Sequence, residues 1–168
     1  KSRDDRCARA HWEEIDAPVD VLLFEGWMVA AQPQSCQALI RPINVFEAEE
    51  DAEGVWRKYT NVSIGADYPA LFAKIDLLIA ISAPSFERVC DWRLRQEHKL
   101  RARTGGGMSD IEITRFMKFY ERLTRHMLIE LPQRADISMK IDENHKPRQS
   151  DALDFNRSKG AEARDVIA

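Results

Sequence analysis

A chain of 168 residues, 44% hydrophobic and 32% charged, has the composition of one globular domain with a real core, which excludes a disordered or low-complexity protein. A formal net charge of −3 supplies no global electrostatic reason for a nucleic-acid partner. No apolar run approaches the roughly 20 residues of a membrane span, and the charged opening KSRDDRCARAHW is not a signal peptide. Cys7, Cys36 and Cys90 are odd in number and widely spaced, which fits reduced, structural thiols in a cytoplasmic protein better than a disulfide framework or a zinc site. The chain opens on Lys1 without a methionine, and the expectation is a fragment or a processed product.

In chain order, the first element is DVLLFEG at 20–26. Four consecutive apolar residues bounded by Asp20 and Gly26 predict a short buried strand over 20–25, with Glu25 at its carboxyl end. Residues 45–58 are polar and acidic with Phe46 and Trp56 as anchors, and predict a helix. YPALFAKI after Asp67 is a short amphipathic stretch. LLIAIS at 77–82 predicts a second buried strand, and 84–103 carries the longest helical pattern. The next helix opens at SDIE, where Ser109 and Glu112 have the spacing of a capping box. Ile113, Phe116, Met117, Tyr120, Leu123 and Met127 follow at helical intervals, a stripe that predicts core. ADISMKID at 135–142 predicts a third, weaker strand. From about residue 148 the chain is polar and aperiodic, which predicts a weakly ordered tail over 148–168 after one domain over 1–147.

Strands alternating with helices predict an α/β fold, a mostly parallel sheet covered on both faces, whose ligands bind beyond the carboxyl ends of the strands. Glu25 lies at such an end, where a carboxylate holds magnesium or its waters, or orients a substrate hydroxyl. The plain alternative is a capped turn or an ion pair. The helix after Cys90 places Arg93, Glu97 and Arg101 on one face, with Arg95, Lys99 and Arg103 on the neighbouring one. Three glycines at 105–107 follow, so the pattern predicts a cationic helix on a flexible hinge, suited to closing over a polyphosphate. The competing reading is a solvated helix laced by weak Arg–Glu pairs.

LLFEGWMVAAQP, IRPIN, VCDWRLRQEHKLRARTGGGMSD, FMKFYERLTRHM and ADISMKIDENHK resemble, in this order, the glycerate kinase group of the P-loop kinases, which is similar in turn to uridine kinase and phosphoribulokinase. The resemblance covers residues 1 to about 146 and implies a small-molecule kinase using ATP and Mg2+, with a small acid such as D-glycerate as acceptor. It implies that Glu25 lies near metal and acceptor hydroxyl, that Arg93 and Arg101 are lid arginines with Lys99 beside the nucleotide, and that Asp142, Asn144 and His145 stand near its base. Lys1, Arg3, Asp4 and Arg6 match the acceptor-side loop, with Asp4, Asp5 or a residue before Lys1 the candidate base; Asn44 and Trp27 fall on the acceptor side, Trp27 and Trp92 also being packing residues beside the cleft.

The family's GxxxxGK[ST] loop has no counterpart in this sequence, because Gly105–Gly107 lacks the lysine and closes a basic helix rather than opening one. By analogy with the usual strand order, the first strand of the fold would sit between 20–25 and 77–82. The resulting expectation is a parallel sheet flanked by helices but incomplete at the amino end, the carboxy-terminal part of a kinase and inactive alone. Other readings are a non-catalytic regulatory module of the same fold, or a kinase for a nucleoside, a sugar phosphate or pantothenate.

Overall fold

The computed structural model describes residues 8–16 and 18–148 with their side chains, and the backbone of 154–155. The longest helix packs against a small sheet, and the second longest packs against that helix. Helix α1 spans Val45–Glu50, α2 Val55–Ala66 and α3 Pro69–Phe72; strand β1 spans Ile79–Ser82; helix α4 spans Phe86–Thr104 and α5 Asp110–Arg134; strands β2 and β3 span Ile137–Lys140 and Asp154–Phe155. The sheet order is β1-β2-β3. β1 and β2 are parallel, in register from Ile79 with Ile137 to Ser82 with Lys140, so the α4–α5 pair forms the crossover that parallel strands require. β3 runs antiparallel to β2, which gives two residues of the expected tail a place in the sheet.

Local chemistry explains the helix ends. The Ser85 hydroxyl accepts from the Arg88 N–H at the start of α4, and Gly105 closes that helix in the left-handed region at φ 71°, where glycine carries no Cβ penalty. Ser109 and Glu112 form the capping box foreseen from sequence. The expected single helix over 45–58 is instead two helices, broken at Asp51–Gly54. Gly54 has φ 70°, and both oxygens of Asp51 accept backbone N–H groups, from Trp56 at 2.9 Å and Arg57 at 3.1 Å. That carboxylate satisfies the orphan donors of a new helix start.

The stripe on α5 is core. Ile113 and Met117 are fully buried and join Phe86, with Leu94 and Phe116 packed around them, which fastens α5 to α4. Farther along α5, Met127 meets Ala31 and Ile64, flanked by Met28, Leu123 and Leu131. Cys90 packs against the first cluster, and burial pushes its thiol up to about 11; Cys36 is exposed, and Cys7 lies outside the described residues.

Two buried arginines tie irregular chain to this frame. Arg122, 8% exposed, donates to both Glu47 oxygens at 2.7 and 2.6 Å and to the carbonyls of Ala38 and Arg41. Arg57 joins Asp51 to the Leu39 carbonyl. Such groups are tolerated inside because their hydrogen bonds are satisfied.

One expectation fails: residues 20–25 do not form a strand. They are irregular, with Val21, Leu22 and Leu23 82%, 85% and 83% exposed. An apolar run becomes a buried strand only when neighbouring strands supply hydrogen bonds and cover its faces, and among the described residues none pairs with it.

Candidate functional site

A cleft of about 580 Å³ lies beyond the carboxyl ends of β1 and β2, lined by Trp27, Val89, Trp92, Arg93, Arg95, Gln96, Lys99 and His145. Its position follows from topology, since α4 leaves the end of β1 and the 141–147 loop leaves the end of β2. This is where open parallel sheets collect ligands.

The loop wall is held by Asp142, whose Oδ1 accepts the backbone N–H of Asn144 and of Lys146, both at 2.8 Å. Those donors, Lys146 foremost, hold its carboxyl below the usual carboxylate range. The turn puts His145 at φ 63°, with its ring against Trp92 at a centroid separation of 4.0 Å and a tilt of 46°. Two further contacts pin the loop to α4: Trp92 Nε1 donates to the Glu143 carbonyl at 3.3 Å, and Arg88 Nη2 to Glu143 Oε1 at 2.9 Å. On the opposite wall Trp27 stacks on Tyr120, with ring centroids 5.3 Å apart and planes 15° from parallel. Aromatic faces with cationic side chains between them make a surface suited to a planar, anionic ligand.

Arg93, Lys99, His145 and Trp27, each picked out by sequence, meet at this cleft. Asp142 and Asn144 shape the loop that delivers His145. Arg93 is not a freely presented cation: its Nη1 donates to Glu97 Oε2 at 2.6 Å and to Gln96 Oε1 at 3.3 Å, and its guanidinium lies over the Phe116 ring at 5.9 Å. Arg101 faces elsewhere. It pairs with Asp110 at the start of α5, as does His98, and these two neighbours, His98 first, lower the Asp110 carboxyl.

Of the glycine run, Gly105 and Gly106 have open space around them and Gly107 is packed against α4. Glu97, 3% exposed, accepts the Met108 N–H at 2.8 Å. Gly107 has φ 142°, and a Cβ there would stand 2.7 Å from Glu97 Oε1, so the chain passes close only because the residue is glycine.

Glu25 is exposed, just before the turn at Gly26–Val29, and is not among the residues lining the cleft. Among the described residues no three His, Cys, Asp or Glu side chains gather as a metal site. Magnesium keeps several waters and binds through one or two carboxylates plus substrate phosphates, so a lone exposed carboxylate fits as one ligand of such an ion. Asn44 has a structural position: its side chain caps α1 by accepting the Glu47 N–H at 2.9 Å, and donates to the Lys118 carbonyl and to Glu121 Oε2 at 3.2 and 3.0 Å. Lys1, Arg3, Asp4 and Arg6 lie outside the described residues. Sequence reasoning placed Trp92 beside the cleft only as a packing residue and Arg95 only on the cationic helix, and did not single out Gln96. The i, i+3, i+4 and i+7 spacing of Trp92, Arg95, Gln96 and Lys99 is the signal that puts them on one helix face.

No family profile matches the chain. It is 35% identical over 118 residues to the uncharacterized kinase mug58 of Schizosaccharomyces pombe, a match covering 69% of this chain and 41% of that protein. It is 29% identical over 153 residues to the chloroplastic D-glycerate 3-kinase of Arabidopsis thaliana, covering 86% and 31%. Among solved structures, a D-glycerate 3-kinase of Cryptococcus neoformans var. grubii superposes with a TM-score of 0.60 at 24% identity, over 78% of this chain and 49% of that one, which shows a shared fold. The chain thus spans less than half the length of each of these proteins. No helix of the described residues is long and apolar enough to cross a membrane.

Proposed function

We propose that this chain, a homologue of D-glycerate 3-kinase and related kinases, supplies the lid and base-side walls of an ATP-dependent kinase that phosphorylates a hydroxyl of a small acid, D-glycerate being the first candidate. The observation that carries this reading is the convergence of Trp92, His145, Arg93, Arg95 and Lys99 on one cleft at the strand ends. Phosphoryl transfer asks mainly for positioning and charge stabilisation, and the cleft has the groups for both.

In this reading the Trp92–His145 pair borders the nucleotide base, while Arg95 and Lys99 meet its phosphates. Arg93, held in place by Glu97, adds fixed positive charge where negative charge develops in transfer. Glu25 would contribute one carboxylate toward magnesium or orient the acceptor hydroxyl, and a bound magnesium would supply charge neutralisation there. The resemblance makes Arg3, Arg6 and Lys1 candidates for binding the acceptor carboxylate, with Asp4 as a candidate base. The phosphate-cradling loop belongs to another segment of the complete enzyme, so the 168 residues alone are inactive.

The test is a panel of acceptors, with D-glycerate, a nucleoside, a sugar phosphate and pantothenate each supplied with ATP and Mg2+ to the full-length gene product and to this chain. Turnover of D-glycerate by the full-length protein only is expected. Preference for another acceptor would replace the substrate assignment. Turnover by the isolated chain at the rate of a complete kinase would refute the division of the site.

A further inference from the structure

We infer, on the basis of the kinase reading of the cleft proposed above, that Glu97 is a positioning residue for phosphoryl transfer. It holds one nitrogen of Arg93 so that the opposite edge of the guanidinium is left for a phosphate, and it takes its own place from the backbone of Gly107 and Met108.

Arg93 Nη1 donates to Glu97 Oε2 at 2.6 Å and to Gln96 Oε1 at 3.3 Å, which uses both protons of that nitrogen. Among the described residues, neither Nε nor Nη2 of Arg93 has a hydrogen-bond partner. Those two nitrogens form the side of the planar fork that donates two parallel bonds to one phosphate. The Phe116 ring, 5.9 Å from the guanidinium carbon, restrains the plane as Glu97 restrains the charge. The arginine side chain is 12% exposed and lines the cleft, so little rearrangement is left for the moment of transfer.

Stability alone does not account for this carboxylate. An arginine followed four residues later by a glutamate is the less favourable order on a helix. A carboxylate only 3% exposed also carries a desolvation cost that an apolar side chain of similar size would avoid. What Glu97 adds is geometry. Its Oε1 accepts the Met108 N–H at 2.8 Å, and a Cβ on Gly107 would stand 2.7 Å from the same oxygen. One oxygen is thus fixed by the turn between α4 and α5, and the other fixes Arg93. Any shift of that turn reaches the cleft through Glu97, and a misplacement of about 1 Å costs on the order of a hundredfold in rate.

The experiment is a double-mutant cycle in the full-length protein, with kcat and the KM for ATP measured on the acceptor that the panel selects and corrected for the folded fraction. Glu97→Gln keeps the shape of the side chain and removes its charge. It is expected to lower kcat by about tenfold or more while the KM for ATP moves by less than about threefold. In the Arg93→Ala background the same change is expected to alter kcat by less than about twofold, because a residue acting through Arg93 has nothing left to position. Gly107→Ala presses on Glu97 from outside the cleft and gives the same reading where loss of a buried charge prevents folding: kcat falls, and only while Arg93 is present. Equal losses with and without Arg93, or a wild-type kcat in both Glu97→Gln and Gly107→Ala, would overturn the inference and leave the kinase reading standing. A wild-type kcat in Arg93→Ala itself would overturn both, since the cleft would then not be the place of transfer.

Discussion

Arg93 and Glu97, one turn apart on α4, form an ion pair of 2.6 Å whose side chains are only 12% and 3% exposed. The pair joins the cleft wall to the α4–α5 corner, because the other oxygen of Glu97 accepts the Met108 N–H. The cation most strongly marked in the sequence as a phosphate ligand is thus also a structural residue.

Arg93→Ala is therefore expected to act twice. Removing the guanidinium from a buried carboxylate is expected to lower folding stability by about 3 kcal/mol, read as a shift in urea midpoint of this chain. In the full-length enzyme the same change is expected to lower kcat more than tenfold. Arg95→Ala and Lys99→Ala are expected to weaken ATP binding while moving stability by under about 0.5 kcal/mol. An Arg93 variant as stable as the wild type would remove the structural half of this account.

Gly107 and Gly106 make an internal control for the corner. Gly107→Ala forces a side chain into positive φ and against Glu97, so a loss of about 1–3 kcal/mol is expected. A Cβ on Gly106 has nothing nearer than the Thr104 hydroxyl at 4.0 Å, so Gly106→Ala is expected to be neutral or slightly stabilising. Thermal melts of the two variants decide it, and equal effects would restore a flexible hinge.

How far the sequence leads is visible in particular residues. The capping box at Ser109 and the stripe from Ile113 to Met127 specify α5 locally, so they survive into the structure unchanged. The break at Gly54 was signalled by the glycine itself, yet became decisive only when Asp51 turned back to cap α2. Residues 20–25 carry a strand's composition without a strand's neighbours, and strand formation is a property of pairs. Asn44 shows the same limit at the site, since an amide that caps a helix and one that holds a ligand look alike in one dimension. The Trp92–His145 contact joins residues 53 positions apart, and helical spacing within α4 gives no hint of it.

Acid is expected to erode one surface contact in a defined window. Glu87 is lowered from 4.5 to about 2 by its own backbone N–H, with help from Arg125 and Ser85. A folded-state value below the unfolded one means the ionised form favours folding above about pH 4.5, and that contribution fades as pH falls toward 2. The group is exposed, so the effect is small. Glu87→Gln is expected to lower Tm at neutral pH and to converge on the wild type near pH 2; a gap that widens in acid would reverse the sign.

Loss of the loop-to-helix contact is expected to be felt by the nucleotide. Trp92→Leu and His145→Ala each dismantle the ring pair and are expected to raise the Kd for ATP of the full-length protein by about three- to tenfold, within the 0.5–1.5 kcal/mol range of an aromatic contact. Calorimetric titration reads the change. Unaltered affinity in both would move the base away from this wall.

The most direct measurement is photo-crosslinking of azido-ATP to the full-length protein, followed by peptide mapping. If the cleft between α4 and the 141–147 loop is the nucleotide site, label is found on the peptide containing Trp92 to Lys99 or on the one containing His145, and excess ATP removes it. ATP-protected label found only on other peptides would contradict the account.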